Sequence, residues 1–162
     1  MVTAEQLSAL DLTIWLGSTD HAANAAYTNQ STISRRNQKV LKQFGIQLKR
    51  SKSTLVVCGD LQLLDLERQV HQLARLRHRE RLRIQAPFWL QKNIEIDLPE
   101  GWTMNPGRDD FSCADPITLL REHVLDACLA TPTQLPPTDA LPLLGGPLLP
   151  VQPAIQPIAS CL

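Results

Sequence analysis

The sequence lacks the segments that mark a membrane or exported protein. Its 162 residues contain no apolar run approaching the roughly 20 residues that a helix needs to cross a bilayer. The first residues, MVTAEQLSALD, have neither the basic start nor the apolar block of a signal peptide. We therefore expect a cytoplasmic protein with no membrane partner.

Cysteine is also scarce, and its pattern excludes the common zinc sites. Cys58, Cys113, Cys128 and Cys161 are widely separated, without a CxxC pair or a His/Cys cluster at zinc-ligand spacing. The chain further lacks a Walker loop, GxGxxG, GxSxG and HExxH, the signatures of many nucleotide-dependent and hydrolytic enzymes. We expect reduced structural thiols, no catalytic residues, no metal and no cofactor. A redox-sensing Cys58 is the less favoured alternative.

The chain also has few aromatic residues and no net charge. Aromatics make up 4% of the chain, which argues against a large aromatic core, whereas apolar residues make up 43%. The net charge of zero hides an asymmetry, because residues 1–86 hold thirteen Lys or Arg and seven Asp or Glu, and residues 87–162 hold three and nine. A basic half joined to an acidic half indicates a polyanion-binding module fused to a second part. Chance segregation of surface charge is the alternative.

Three helices are predicted in the first 45 residues. Thr3 begins the first helix with a capping-box pattern, and Gly17 ends it. Ser18 can cap a short second helix that ends near residue 26. Asn29 can cap a third helix over about residues 30–43. This order is typical of a helix-turn-helix.

A β-hairpin and a longer helix are predicted next. Apolar residues 46–48 and 55–57 flank the basic stretch 49–54, which is a hairpin pattern with a basic tip. Asp60 can cap a helix over about residues 61–82. Apolar residues at 3-4-3 spacing form a seam typical of paired helices, at Leu63, Leu66, Val70 and Leu73. An intramolecular packing stripe is the alternative interpretation of this seam.

The second half of the chain has a different pattern. Residues 82–84, 94–98 and 126–130 are predicted strands, and Pro116 opens a helix that ends at residue 124 or 125. Eight of the twelve prolines fall in residues 132–162. Since proline disfavours both helices and central strands, we expect this Pro-rich tail to be disordered.

The third predicted helix has an apolar and a polar face. Ile33 and Val40 lie on the apolar face, with Asn37 between them. The second helix of a helix-turn-helix can enter the major groove, where small polar residues near its start approach the bases and flanking cations reach phosphates. Gln can pair with adenine and Arg with guanine. The candidate contacts with double-stranded DNA are Gln30, Ser31, Thr32, Ser34 and Arg35 at the bases, Arg36 and Lys39 at phosphates, and Arg50 and Lys52 on the hairpin.

The stretch GSTDHAANAAYTNQSTISRRNQKVLKQFGIQL resembles the DNA-binding region of LysR-type transcriptional regulators. Those proteins share a Gly-Ser opening, an Ala-Ala pair, a Ser-Gln-Ser-x-x-Ser segment and a final Gly-x-x-Leu. The matching residues are Gly17-Ser18, Ala22-Ala23, Gln30-Ser31, Ser34-Arg35, and Gly45 with Leu48, and Gly59 stands where the family has a glycine that opens its linker helix. The resemblance covers about residues 7–80 and implies a winged helix-turn-helix over about residues 7–57.

This resemblance implies two binding partners, double-stranded DNA and a second copy of the chain. The implied DNA contacts are Gln30, Ser31, Thr32, Ser34, Arg35 and the wing residue Arg50. The long helix would pair two subunits into a homodimer, which agrees with the leucine seam. A regulator of this kind would be associated with the nucleoid.

Several positions depart from the family pattern. Ala26 stands where leucine is usual, Lys49 where phenylalanine is usual, and Val56 where threonine is usual. Asn37 replaces an apolar residue on the inward face of the third helix. Unless Asn37 finds partners, burying it costs about 1–3 kcal/mol.

The acidic half resembles the family's effector domain less closely. Residues 83–90 resemble the first strand of that domain, and residues 116–130 resemble its helix-then-strand segment with Asp126 at the usual aspartate. A complete effector domain has two lobes, and the residues after 86 are too few to build both. We therefore expect no effector site of the usual inter-lobe kind.

Together these patterns predict a mainly α protein in four parts. They are a winged helix-turn-helix at 1–58, a linker or dimerisation helix at 59–83, a shortened effector-like α/β segment at 84–131 and the Pro-rich tail at 132–162. The predicted function is sequence-specific DNA binding as a LysR-like regulator. The alternative is a winged-helix interaction or architectural module without specific DNA reading. A further alternative is that the acidic half masks the basic half.

Overall fold

The computed structural model describes residues 2–52, 54–87, 91, 98–105 and 115–129. In these ranges the chain forms α1 (Ala4–Leu16), α2 (Thr19–Ala25), α3 (Gln30–Phe44), β1 (Gln47–Ser51), β2 (Thr54–Cys58), α4 (Gln62–His78), β3 (Leu82–Gln85), β4 (Trp102–Met104), α5 (Pro116–Arg121) and β5 (Ala127–Cys128). This order confirms the predicted class, a mainly α chain with a helix-turn-helix, a hairpin, a long helix and a small α+β part. The strand predicted at 94–98, except its last residue, and the Pro-rich tail lie outside the described residues.

The first three helices begin at the predicted caps. The Thr3 hydroxyl accepts from the Gln6 amide at 3.3 Å, and the Gln6 side chain accepts from the Thr3 amide at 3.2 Å, which completes the capping box. The Ser18 hydroxyl accepts from the His21 amide at 3.1 Å. The Asn29 side chain accepts from the Thr32 amide at 2.8 Å and caps α3.

Helix α1 is the centre of the core. Leu7, Leu10, Ile14 and Trp15 are all buried, and α2 and α3 pack against them. A helix that is apolar around most of its circumference is stable only when other elements cover it on several sides. The indole Nε1 of Trp15 donates to the Gln85 side chain at 2.7 Å, so α1 is also joined to β3.

Buried Asn37 has found one partner on α1. Its amide nitrogen donates to the Thr13 hydroxyl at 2.9 Å, and that hydroxyl donates to the Ala9 carbonyl at 2.8 Å. The Asn37 Oδ1 atom is buried without a partner among the described residues. Thr13 thus provides a partner for the amide nitrogen of Asn37, which stands where the family has an apolar residue, while Oδ1 stays unpaired.

This pair predicts a non-additive effect on stability. Thr13→Val should lower the free energy of unfolding by about 1–3 kcal/mol, because it leaves both polar groups of Asn37 unpaired. Thr13→Val combined with Asn37→Leu should recover most of that loss, because no polar group is then buried at this position. Urea unfolding of the two variants and the parent measures the difference. Equal stability of the single and double variants would contradict the proposed pairing.

The hairpin and the long helix differ from prediction at their ends. β1 and β2 are antiparallel, and both are longer than the apolar pieces that predicted them. α4 ends at His78, so its predicted extension to residue 82 was wrong. The chain turns at Arg79, whose φ of 54° is left-handed, and Leu82 enters β3 instead.

A small parallel sheet explains why α4 ends early. β3 lies between β4 and β5 and is parallel to both. The Leu82 amide donates to the Gly101 carbonyl at 2.8 Å. Gly101 has φ +87°, and a Cβ there would lie 2.1 Å from the Arg79 carbonyl oxygen, so only glycine permits this approach. Residues 79–82 have a helical sequence pattern, but they turn and enter β3 because Leu82 pairs with Gly101.

The remaining elements follow the predicted order with shorter bounds. α5 ends at Arg121, three or four residues before the predicted end, and Asp115 caps it by accepting from the Thr118 amide at 3.0 Å. β5 is shorter than the strand predicted at 126–130, and β4 was not predicted. Among the described residues, no helix combines the length and apolarity that a membrane crossing requires.

Candidate nucleic-acid interface

The polar face of α3 points away from the core. Ile33, Asn37 and Val40 are buried on its inner face. Of the residues predicted to contact DNA, Gln30, Ser31, Arg35 and Lys39 are exposed and Thr32 and Ser34 are half-buried. Arg36 is also half-buried, but it borders the inner face and pairs with Glu5 of α1. α3 therefore has the buried apolar face and the exposed polar face that the sequence predicts.

Short contacts order the start of α3. The Ser31 hydroxyl donates to the capping Asn29 side chain at 2.8 Å. The Gln30 side-chain amide donates to the Thr19 hydroxyl at 3.0 Å, which ties the start of α3 to the start of α2. The Arg35 Nε atom donates to the Ser31 carbonyl at 3.2 Å, so its guanidinium group lies back toward the N-terminal end of the helix.

The hairpin contacts the segment that precedes α2. The Arg50 guanidinium donates to the Gly17 carbonyl at 3.5 Å. Gly17 is two residues before Thr19, which contacts Gln30. The segment 17–19 therefore contacts both the wing arginine and the start of α3. Lys52 is exposed in the turn of the hairpin, with a left-handed φ of 54°.

The two flanking cations of α3 differ in their surroundings. Arg36 forms an ion pair with Glu5 at 2.7 Å, with side chains 30% and 64% exposed. Lys39 is exposed one turn further along the helix. Because an exposed ion pair contributes at most about 1 kcal/mol, Arg36 can exchange Glu5 for a phosphate at little cost.

The apolar seam of α4 is exposed on the surface. Leu63, Leu66, Val70 and Leu73 are 57–66% exposed, and Leu76 is 44% exposed. Leu64 and Arg68 lie on the opposite face of the helix and are buried. The structure therefore does not support the alternative that the seam packs within the chain, at least among the described residues.

Buried ion pairs join α1, α4 and the sheet, and sequence reasoning missed them. Asp11 accepts from Arg68 Nε at 2.9 Å and lies 3.4 Å from Arg83 Nη1. All three side chains are less than 5% exposed. The signal in the sequence was Asp11 itself, an acidic residue within the otherwise apolar run of α1.

A second group of charges holds the end of α4 against β3. Arg75 donates to Asp126 at 2.9 Å, and Asp126 also accepts from the Arg83 backbone amide at 2.8 Å. Burial lowers the pKa of Arg83, and Asp11 opposes that shift. Burial raises the pKa of Glu122, which lies 3.5 Å from Arg68, and the positive charge of Arg68 opposes it. Arg75 and Arg83 are thus structural cations.

Two of the four cysteines lie within the described part of the chain. Cys58 and Cys128 are free and half-buried. Burial raises the pKa of the Cys128 thiol, which lowers its nucleophilicity at neutral pH. Cys113 and Cys161 lie outside the described residues.

Comparisons with known proteins point to one group of structures. No family model matches the chain, and no curated protein is significantly similar to it in sequence. The chain is similar to ArgP from Mycobacterium tuberculosis, at 25% identity over 74% of this chain and 45% of ArgP, with a TM-score of 0.40. It is also similar to a full-length OxyR from Pseudomonas aeruginosa, at 18% identity over 82% of this chain and 51% of OxyR, with a TM-score of 0.44.

A third similar structure is CrgA from Neisseria meningitidis, described as a LysR-type transcriptional regulator. The identity is 13% over 78% of this chain and 48% of CrgA, with a TM-score of 0.32. All of these structures are LysR-family regulators, and the chain spans about half the length of each.

Proposed function

We propose that this protein is a LysR-type transcriptional regulator that binds specific double-stranded DNA through α3 and the β1–β2 hairpin. One observation carries the proposal: the segment 17–19 joins the polar start of α3 to the wing arginine. A helix start and a basic hairpin side by side can contact one major groove and the phosphates next to it.

The polar start of α3 has the chemistry to read bases. Gln30 can pair with adenine and Arg35 with guanine once each releases its single contact within the chain. Each of those contacts contributes only about 0.5–1.5 kcal/mol net, so base pairing can replace them. Ser31, Thr32 and Ser34 provide short hydroxyl groups that let the helix backbone approach the bases closely.

The surrounding cations would hold the helix in its register on DNA. Lys39 and Arg36 flank α3, and Arg50 and Lys52 lie on the hairpin. Contacts from such groups to phosphates supply affinity without sequence information. With this division of roles we keep the domain boundaries predicted from the sequence, with DNA binding in residues 1–58 and an effector-like segment in 84–131.

Two copies of the chain would pair through the seam of α4. Its exposed apolar face has the 3-4-3 spacing of helices that pack against each other. A symmetric dimer would present two copies of α3 to two half-sites in DNA. Pairing thus accounts for a large apolar face that the described part of one chain leaves open.

This proposal predicts different effects for two substitutions on α3. Arg35→Ala should weaken binding to a selected genomic fragment by about 1–3 kcal/mol and relax the sequence preference. Lys39→Ala should weaken binding to all duplexes alike, because a phosphate contact is lost. The slope of log affinity against log salt concentration should become smaller by about one. Fluorescence anisotropy titrations with the selected fragment and a random duplex measure both effects. Arg121→Ala on α5 is the control and should change neither.

The same titrations separate specific reading from an architectural or interaction role. A LysR-type regulator should bind the selected fragment at least about 10³-fold more tightly than a random duplex. Equal affinity for both duplexes would favour the architectural module, and no salt-dependent binding would favour a protein-interaction module. Either result would overturn the proposed function.

A further inference from the structure

A cleft of about 410 Å³ lies between the helix-turn-helix and the small sheet. One stripe of α1 forms its wall, with Glu5, Ser8, Leu12 and Trp15 at helical spacing. α3 contributes Ile33 and Arg36, and the opposite wall is formed by Arg81, Arg83 and Thr103. Its volume is within the range of about 300–1,000 Å³ that is typical of small-molecule sites.

The charge in this cleft is positive. Three arginines and a single carboxylate are among the described residues that line it. Asp11 lies next to Arg83, and Glu5 pairs with Arg36. Arg81 is exposed, and no carboxylate of the described residues pairs with it. An anion that enters the cleft would therefore meet an uncompensated guanidinium group.

The backbone at Arg81 is held in one conformation. Arg81 has a left-handed φ of 55°, and the next residue, Leu82, begins the strand paired with Gly101. The approach of Gly101 to the Arg79 carbonyl fixes the other side of this turn. A left-handed conformation is unfavourable for arginine, and such residues persist where the surrounding structure fixes them. The backbone that carries Arg81 is thus held in place beside the cleft.

The cleft also offers apolar and aromatic contacts. Ala9, Leu12 and Ile33 line its inner part. Tyr27 stands at its edge with φ 50° and is 98% exposed, so its ring has almost no contacts within the chain. The hydroxyl groups of Ser8, Thr28 and Thr103 are close enough to line the same space. These groups suit a ligand with a flat apolar body and a charged end.

We propose that this cleft binds a small aromatic carboxylate. The carboxylate would pair with Arg81, for which a guanidinium fork provides two parallel donors. Arg36 would add a second charge by releasing Glu5, and the aromatic body would lie against Tyr27 and the apolar wall. This site uses residues of the helix-turn-helix itself and does not require a two-lobed effector domain. It also does not depend on the proposed DNA binding.

Binding of 2-naphthoate to the full chain, followed by isothermal titration calorimetry, tests the proposal. We expect saturable binding with a Kd below about 1 mM. The uncharged 2-naphthamide has nearly the same shape and should bind at least about tenfold more weakly, because it cannot form a charge-assisted pair. Inorganic phosphate provides the charge without the apolar body and should also bind at least about tenfold more weakly, because the burial of apolar surface is lost.

Two neighbouring arginines form a matched pair of variants. Arg81→Ala should raise the Kd for 2-naphthoate by about tenfold or more, since a hydrogen bond to a charged group is lost. Arg79→Ala removes an exposed arginine of the same turn, with φ 54°, that does not line the cleft, and it should leave the Kd unchanged. Tyr27→Ala should raise the Kd severalfold.

Several results would overturn the proposal. They are the absence of saturable binding, equal binding of the carboxylate and the amide, equal binding of phosphate, or equal effects of the Arg79 and Arg81 substitutions. Because no DNA is present in these titrations, their failure is distinguishable from failure of the proposed function.

Discussion

Replacing Asp11 with asparagine should destabilise the protein by about 3–5 kcal/mol, the loss expected when one partner of a buried ion pair is removed. Asp11 is the acidic partner of Arg68 and lies next to Arg83, and all three are buried between α1, α4 and β3. The neutral amide would leave Arg83 without a paired carboxylate and Arg68 with only the half-exposed Glu122. Arg68 Nη2 already lacks a partner among the described residues. No further acceptor is therefore at hand for the guanidinium group when Asp11 is changed.

The urea midpoint of Asp11→Asn, at an unchanged m-value, measures this loss. Glu122→Gln is the matched control. Its carboxylate is 42% exposed and 3.5 Å from Arg68, so its removal should cost less than about 1 kcal/mol. An apolar triple variant, Asp11→Leu with Arg68→Met and Arg83→Met, should be closer to the parent than Asp11→Asn, because the only charge that it leaves unpaired is the half-exposed Glu122. Equal midpoints for Asp11→Asn and Glu122→Gln would contradict this role of Asp11.

Introducing two charges into the seam of α4 should abolish self-association. Leu66 and Val70 are 57% and 64% exposed, and a second copy of the seam would bury both. Burial of each such side chain contributes about 1.5–3 kcal/mol, so Leu66→Glu with Val70→Glu should raise the dimer Kd by at least about 100-fold. Sedimentation velocity at several protein concentrations measures the change.

The control for this experiment is Gln62→Glu, which adds the same kind of charge to an exposed position of α4 outside the seam. It should leave the dimer intact. The double variant should keep the circular dichroism spectrum of the parent, because both substituted residues are exposed in one copy of the chain. A parent protein that sediments as a monomer at all concentrations would contradict the proposed pairing.

Local signals were sufficient to predict the N-terminal elements. Thr3, Ser18 and Asn29 are capping residues whose side chains accept hydrogen bonds from amides within three residues along the chain. Such contacts are encoded by short spacings and do not depend on the rest of the fold. The hairpin was predicted from the same kind of evidence, two apolar pieces around a basic turn.

Long-range contacts were not predictable from the sequence. α4 ends at His78 because residues 79–82 meet Gly101, which is about twenty residues further along the chain. Asp11 meets Arg68 across 57 residues, and Arg75 meets Asp126 across 51. The sequence does not indicate these pairs, since charge alone does not show which residues find a buried partner.

Part of the candidate interface was predictable from local sequence, and part depends on long-range contacts. The outward orientation of Gln30, Ser31 and Arg35 follows from the helical period, and α3 places them as predicted. The link from Arg50 through residues 17–19 to Gln30 depends on how the hairpin folds back, and no local pattern indicates it. The cleft near Arg81 likewise exists only because β3 and β4 pack beside α1.

The contact between α3 and DNA can be mapped residue by residue by NMR. Amide chemical shifts of the full chain would be followed during titration with a duplex selected from genomic DNA, at two salt concentrations. Salt-sensitive changes concentrated at residues 30–36 and 49–52 are the expected result, since base and phosphate contacts are proposed there. Unchanged shifts in both segments, with the duplex in excess, would contradict the claim that this helix and hairpin bind DNA.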